Sequence, residues 1–250
     1  MANKKHVLIT GGTRGIGAAC VRRFFAAGYD TAAVYRTDDE AARRLFSELC
    51  PDGRQNDNSL VFIKADISDP AAAEEAYTQA ARQAGEPDIL VNCAGVADIR
   101  LFTDTSDTDW RRIIDTNLTS AFTLARASAP AMIRRGWGRI INIGSVWGRL
   151  GASCEVAYSA SKAGLRGMSA AMAKELGPSG ITVNCVEPGV IDTDMNSHLT
   201  AEDITALCDS TPLCRLGRPD EVAAAVMFLA SDDAAFITGA AIPVDGGFPA

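Results

Sequence analysis

Histidine is nearly missing from this chain: His6 and His198 are the two it has among 250 residues. A histidine-built metal centre or a histidine-dependent triad is therefore all but excluded, and no metal site is expected. Paired cysteines are missing as well. The seven cysteines, Cys20, Cys50, Cys93, Cys154, Cys185, Cys208 and Cys214, are odd in number and scattered, with no Cys-x-x-Cys. That pattern is neither a disulfide framework nor a zinc site, and it fits a reducing compartment in which each thiol simply packs. Basic charge is not in excess either: 24 Lys and Arg stand against 31 Asp and Glu, a net charge of −7. Phosphate-rich partners attract the opposite sign, so nucleic acid and anionic membrane surfaces are not expected partners. No apolar run approaches the roughly 20 residues that span a bilayer. The first one, His6-Val-Leu-Ile-Thr10, is shorter than the about 7–15 residues of a secretory core and reads as a buried strand. A soluble cytoplasmic protein is expected.

What is present is a globular composition, 47% hydrophobic and 22% charged, which excludes intrinsic disorder. Strand and helix patterns alternate from end to end. Short apolar runs occur at Val7–Ile9, Thr31–Tyr35, Leu60–Ile63, Ile89–Val91, Arg139–Ile143, Ile181–Val186 and Ala241–Val244. The last is expected at an edge, because Pro243 cannot donate to a ladder. Helical spacing follows Gly15, Asp38 and Asp69. One long helix, with Trp110, Ile113, Ile114, Leu118, Ala121, Phe122 and Ala125 on a single face, is expected to end near Arg135. Another is expected from Val156 to Leu176, stopped by Gly177-Pro178, and a last one from Pro219. Pro51 to Asn58 reads as a polar loop. Continuous apolar strands alternating with helices mean a parallel sheet covered on both faces. With no linker, repeat or second composition regime, residues 1–250 are read as one α/β domain: a doubly wound Rossmann-type fold, seven-stranded and parallel, with helices on both faces.

The first strand runs into Thr10-Gly11-Gly12-Thr13-Arg14-Gly15-Ile16-Gly17 and then a helix. Glycine at a tight turn is unremarkable by itself. After the first strand of a βαβ unit, it lets backbone N–H groups approach a pyrophosphate at the helix N-terminus. A site selective for NAD usually carries an acidic residue at the end of the second strand, for the ribose hydroxyls. Here Arg36 stands there, and Arg14 lies inside the glycine loop. Lone surface arginines are usually just solvated, but two at these positions favour a 2′-phosphate, so NADP(H) is the expected cofactor.

Tyr158 and Lys162 lie four apart on the expected long helix and share a face. Ser145 follows the fifth strand, at the sheet end where doubly wound proteins place ligands. A nearby ammonium is expected to lower a phenol by about 1–3 pKa units. Such a phenol can pass a proton to a carbonyl oxygen under reduction, with Ser145 hydrogen-bonded to the same oxygen.

Taken together, Thr10-Gly-x-x-x-Gly-x-Gly17, Asn92-Cys-Ala-Gly95, Asn117, Ser145, Tyr158-Ser-Ala-Ser-Lys162 and Pro188-Gly189 resemble the short-chain dehydrogenase/reductase family. The resemblance runs from Lys5 to Gly247. Cys214-Arg-Leu-Gly-Arg-Pro-Asp-Glu-Val222 and Ile237-Thr-Gly-x-x-Ile-Pro-Val-Asp-Gly-Gly247 look most like its 3-oxoacyl-carrier-protein reductase branch. The resemblance implies Tyr158 as general acid–base, Ser145 as the residue orienting the carbonyl, and Lys162 on the nicotinamide ribose. It implies that Asn117 interrupts its helix and holds a water that links Lys162 to solvent, although such an Asn is also explained by back-bonding to the helix. It further places Gly11, Thr13, Arg14, Gly15, Ile16, Gly17 and Arg36 around the phosphates, and Asp66 and Ile67 at the adenine. Asn92, Ala94 and Gly95 would meet the adenosine ribose, and Pro188, Gly189, Ile191 and Thr193 the carboxamide and pyrophosphate.

The activity implied is NADP(H)-dependent carbonyl reduction or alcohol oxidation, most naturally of a 3-oxoacyl thioester. The alternatives are a dehydrogenase of a sugar, polyol or steroid alcohol, and a non-catalytic dinucleotide sensor. A trans-enoyl reductase of related fold spaces its Tyr and Lys more widely. Acyl-carrier protein is a possible partner: it is acidic and needs a basic rim, which Arg134, Arg135 and Arg139 are the candidates to supply, while Ser179 offers no charge. Cys93 departs from the usual residue and reads as small and buried. Trp147 and Glu155 lie on either side of the loop between Ser145 and Tyr158, where substrate passes: Trp147 reads as a hydrophobic wall or simply as core, and Glu155 as a carboxylate that disfavours anionic head groups if it points inward, or else as an exposed carboxylate at a helix start. Small residues Ala160, Ala163, Gly164, Gly167, Ala170, Ala171 and Ala173 on several faces of the catalytic helix point to helix–helix contact between copies, and the resemblance implies a homotetramer with two-fold interfaces.

Overall fold

A computed structural model describes residues 4–51, 58–197 and 199–248; most of the polar loop expected at Pro51–Asn58, and His198, lie outside them. Seven strands form one sheet: β1 (His6–Thr10), β2 (Asp30–Tyr35), β3 (Leu60–Lys64), β4 (Ile89–Asn92), β5 (Gly138–Ile143), β6 (Ile181–Pro188) and β7 (Ala241–Val244). The order is β3-β2-β1-β4-β5-β6-β7, with every neighbouring pair parallel. Pro243 lies on the edge strand, as its missing N–H requires.

Parallel strands buried on both sides alternate between two cores. Val7, Ile9, Ile89, Val91 and Ile141 pack with α1 (Gly15–Ala26) and α9 (Pro219–Ala230) on one face. Leu8, Leu90, Ile140 and Val183 pack on the other with α3 (Pro70–Ala84), α5 (Ser120–Arg135) and α7 (Val156–Leu176). Remaining helices are α2 (Asp39–Leu49), α4 (Asp107–Ile114), α6 (Val146–Leu150) and α8 (Ala201–Ser210). Three helices begin where the chain supplies a reason: for α2 the Asp38 carboxylate accepts Ala41 N–H, for α4 Ser106 and Asp109 form a capping box, and Pro219 occupies the first turn of α9.

The long helix expected through Trp110 and Arg135 is two helices joined by a wide π-turn at Asp115–Thr119. There Thr116 and Ser120 hydroxyls donate back to Arg112 O and Thr116 O, and the extra residue re-aims Asn117. The turn also shifts which side chains are covered. Ile113, Ala121 and Ala125 are buried as expected, whereas Trp110 and Phe122, at the margins of the face, are exposed. The strand order reverses between β1 and β4, so the crevice lies beyond their carboxyl ends.

Candidate active site

At that crevice Thr10 ends β1 with its side chain buried, and its hydroxyl accepts the N–H groups of Cys93 and Ala94, both at 3.0 Å. Gly11 has φ +65°, and a Cβ there would lie 2.9 Å from Ala94 Cα. A Cβ on Gly17 would sit 2.1 Å from Gly11 O. Only glycine lets these segments close up, which delivers the N-terminus of α1 to the cleft. Arg14 caps α1 with no side-chain bond to its amides, and the first turn has no acidic residue. The positive helix end is thus left for an outside anion. Arg14 lies 3.9 Å from Asp38 and 3.8 Å from Asp194, half-exposed, and lines the cleft with Arg36. These groups fit a dinucleotide's pyrophosphate and 2′-phosphate.

The cleft, of about 1030 Å³, runs from this loop to Tyr158. Gly11, Thr13, Arg14, Gly15, Ile16, Gly17, Arg36, Asp66, Ile67, Ala94, Gly95, Pro188, Gly189, Ile191 and Thr193 all line it, together with Ser145, Tyr158 and Lys162. Two expected residues lie elsewhere. Asn92 is buried, and its amide donates to Asn142 Oδ1 at 2.8 Å, tying β4 to β5 instead of facing a ribose; Asn142 in turn donates to Ser169. Asn117 stands behind the cleft wall. Its Oδ1 accepts Val96 N–H at 2.8 Å, and its Nδ2 donates to Val96 O and Ser161 Oγ. The amide is thereby a bracket that fixes the Gly95–Val96 segment against α7.

Ser145 caps α6 through Trp147 N–H, and it, Tyr158 and Lys162 are all buried. Lys162 Nζ donates to Ile143 O at 2.7 Å and lies 5.5 Å from the centre of the Tyr158 ring. The expected depression of the phenol is not found. Burial pushes Tyr158 up to about 12, a hydrogen bond with Ser145 works the other way, and the charge of Glu155 adds to the rise. Burial also lowers Lys162. Desolvation is the dominant cause at Tyr158. Cys93 lines the cleft, and burial pushes its thiol up to about 12, so it stays protonated. Trp147 is a half-buried wall braced edge-on by Phe248 at 5.5 Å. Glu155 also lines the cleft, half-buried.

The arginines proposed for a basic rim are at the wrong end. Arg139 is the second residue of β5, at the foot of the sheet, buried, over Trp137 and beside Asp232. Arg134 and Arg135 pair with Glu86, and Arg135 also with Asp88. Sequence reasoning missed Thr10 and Asp38 as cleft-shaping residues; a strand-end Thr before a glycine loop and an Asp helix cap were the available signals. It also missed Asp98, Ile99, Arg112, Met195, Leu199 and Leu207 on the substrate side, which carry no motif. Among the described residues no cluster of metal-ligating side chains occurs, and no helix is long and apolar enough to cross a membrane.

A family model described as enoyl-(acyl carrier protein) reductase matches residues 11–249. The 3-oxoacyl-[acyl-carrier-protein] reductase FabG of Escherichia coli K12 is 40% identical over 243 residues, covering 97% of this chain and 96% of that protein. The acetoacetyl-CoA reductase of Rhizobium meliloti is 39% identical over 241 residues, covering 96% of each. Among solved structures, a blue fluorescent protein from a metagenomic library, in complex with NADPH, superposes with a TM-score of 0.91 at 39% identity over 99% of both chains. A likeness of this depth reaches far beyond a shared nucleotide loop, and on it the chain belongs to the short-chain dehydrogenase/reductase family of oxidoreductases.

Proposed function

We propose that this chain is an NADP(H)-dependent carbonyl reductase whose substrate is a 3-oxoacyl thioester. The observation that carries the reading is the convergence of Ser145, Tyr158 and Lys162 at one end of a cleft whose other end is the open N-terminus of α1 flanked by Arg14 and Arg36. The names of the relatives support the substrate class.

Bound NADPH would supply the hydride. The α1 amides and the Arg14 and Arg36 guanidiniums would hold its phosphates. The Tyr158 phenol, kept protonated by burial, donates its proton to the carbonyl oxygen, and the Ser145 hydroxyl hydrogen-bonds the same oxygen. Lys162 can exchange its bond to Ile143 O for a ribose hydroxyl, which brings its cation to bear on the phenolate left after transfer. Asn117 holds the Gly95–Val96 segment beside Lys162. The adjacency of Tyr158 and Lys162 on one turn of α7 favours ketone over enoyl reduction. Because Arg134, Arg135 and Arg139 stand at the far end of the sheet, the reading rests on the thioester and needs no carrier-protein dock there.

Following NADPH consumption with acetoacetyl-CoA, a carrier-linked 3-oxoacyl group, simple ketones and sugars tests this. Thioester turnover with NADPH preferred over NADH is expected; selective oxidation of a sugar or polyol would overturn it. We also propose a homotetramer: on α7, Ala163 and Gly167 are exposed with open space over Gly167, and Phe122 is exposed on α5. Light scattering that found a fully active 26.3 kDa species would refute the assembly.

A further inference from the structure

We infer that Trp147, braced by Phe248, is a stop for the acyl chain: the free end of the ketone can be little larger than a methyl group, so the substrate is an acetoacetyl-sized thioester and longer 3-oxoacyl groups are turned away. This rests on the carbonyl-reductase reading above and names the size of the acyl group.

Trp147 is tied to the reacting centre through its backbone. Ser145 caps α6, and its hydroxyl accepts Trp147 N–H at 3.2 Å. That is the same hydroxyl to which the reading above assigns the substrate oxygen, so the indole starts beside the carbonyl. Only partly buried, it lines the cleft with Ser145 and Tyr158. Together with Val96 and Ala97, it packs against the cluster that Ile113, Ala157 and Tyr158 form.

The wall cannot yield easily. Gly148, the next residue of α6, lies directly on α7: a Cβ there would be 2.7 Å from Lys162 C, so the helix has no room to retreat. Arg149 donates to Asp245 Oδ2 at 3.1 Å, which ties α6 to the segment after β7. Asp245 also closes that segment on itself. Its Oδ1 accepts Gly247 N–H at 3.0 Å, and its backbone O accepts Phe248 N–H at 3.1 Å. The turn sets the Phe248 ring edge-on against the indole, with centres 5.5 Å apart and planes at 88°. One ion pair and one ring pair thus hold α6 and the end of the chain together, and the indole is a fixed surface.

A ketone whose oxygen rests on Ser145 and Tyr158 has two substituents. One bears the thioester and its carrier, which is far too large to be enclosed and leaves through the open cleft. The other is left to face Trp147. An acetoacetyl group presents a methyl there. A 3-oxooctanoyl group presents a pentyl chain, which must displace a braced indole or draw the ketone oxygen away from the two hydroxyls. Close-packed walls accommodate added methylenes poorly.

The test compares kcat/KM for the 3-oxobutanoyl and 3-oxooctanoyl thioesters of N-acetylcysteamine, at saturating NADPH, in wild type, Trp147→Ala and Phe248→Ala. Each ratio is internal to one protein, so a loss of folded enzyme cancels. Wild type is expected to favour the shorter substrate by at least about tenfold, and Trp147→Ala to move the ratio about tenfold toward the longer one. Phe248→Ala leaves the indole in place and removes its brace, so the ratio should move the same way by a smaller factor. A wild type that uses both chain lengths equally, or an unchanged ratio in Trp147→Ala, overturns the stop alone. A wild-type enzyme that reduces neither thioester overturns the functional reading and the stop with it.

Discussion

Replacing Thr10 by Val keeps the shape of the side chain and removes only its oxygen. That oxygen accepts two backbone N–H groups, from Cys93 and Ala94, each at 3.0 Å, at a site 1% exposed. Valine leaves both donors without a partner where water has no room. A buried unsatisfied donor costs about 1–3 kcal/mol, so two cost about 2–6, nearer 2–4 if the strand end shifts toward the cleft water. For a domain of this size that is a fall in Tm of roughly 5–15 °C. The damage should also reach the cofactor site, because Ala94 packs against Gly11 and lines the cleft. Thermal unfolding and NADPH titration of Thr10→Val and Thr10→Ser separate the terms. Serine retains the acceptor and gives up a methyl group, worth about 1 kcal/mol. If valine lies within about 0.5 kcal/mol of wild type, or if serine is as damaging as valine, the hydroxyl does not hold the end of β4 as argued.

Three further outcomes are expected. Gly17→Ala forces a Cβ to 2.1 Å from Gly11 O, so dinucleotide affinity measured by fluorescence titration should fall at least tenfold, whereas Gly28→Ala, with nothing within 4 Å but φ +88°, should affect stability only. Asn117→Leu removes hydrogen bonds to Val96 N–H, Val96 O and Ser161 and should lower stability by about 2–4 kcal/mol in denaturant unfolding. Burial raises Tyr158 from 10.0, and Cys93 and Cys185 from 9.0, to about 12. Folded pKa values above the unfolded ones mean that the unfolded chain gives up these protons first. Their contribution to stability is therefore whole below about pH 9 and is lost as pH rises from 9 to about 12; equilibrium unfolding over that range should show falling stability, and a Cys93→Ala, Cys185→Ala double variant a shallower fall.

The sheet was legible because its strands are short apolar runs separated by helices, and a parallel sheet buried on both faces leaves that trace; even the edge position of Pro243 follows from one missing donor. The glycine loop and the Tyr158–Lys162 spacing were legible for a similar reason, since each is a local pattern with a local cause. Asn92 was misplaced because nothing in its neighbours along the chain reveals Asn142, 50 residues later, whose amide it binds. Arg139 was misjudged likewise. A charge at the start of a strand faces the foot of the sheet, and Trp137 and Asp232 make its burial tolerable there. The pKa of Tyr158 went astray because sequence shows the lysine four residues on but not the depth of burial, which is the largest cause of the rise. Trp147 and Glu155 were legible because they lie between Ser145 and Tyr158 in the chain, whereas Asp98 and Arg112 bear no motif and only the folded cleft brings them to the site.

The central claim, that the Tyr158 phenol delivers the proton to a reduced carbonyl, is tested most directly by Tyr158→Phe. The change keeps the ring in its packing against Ile113 and Ala157 and removes only the hydroxyl. NADPH binding and thermal stability should stay close to wild type, while kcat for acetoacetyl-CoA reduction falls by roughly 10²–10⁴-fold or more. A Tyr158→Phe enzyme that binds NADPH and turns over the thioester at near wild-type rate would contradict the account.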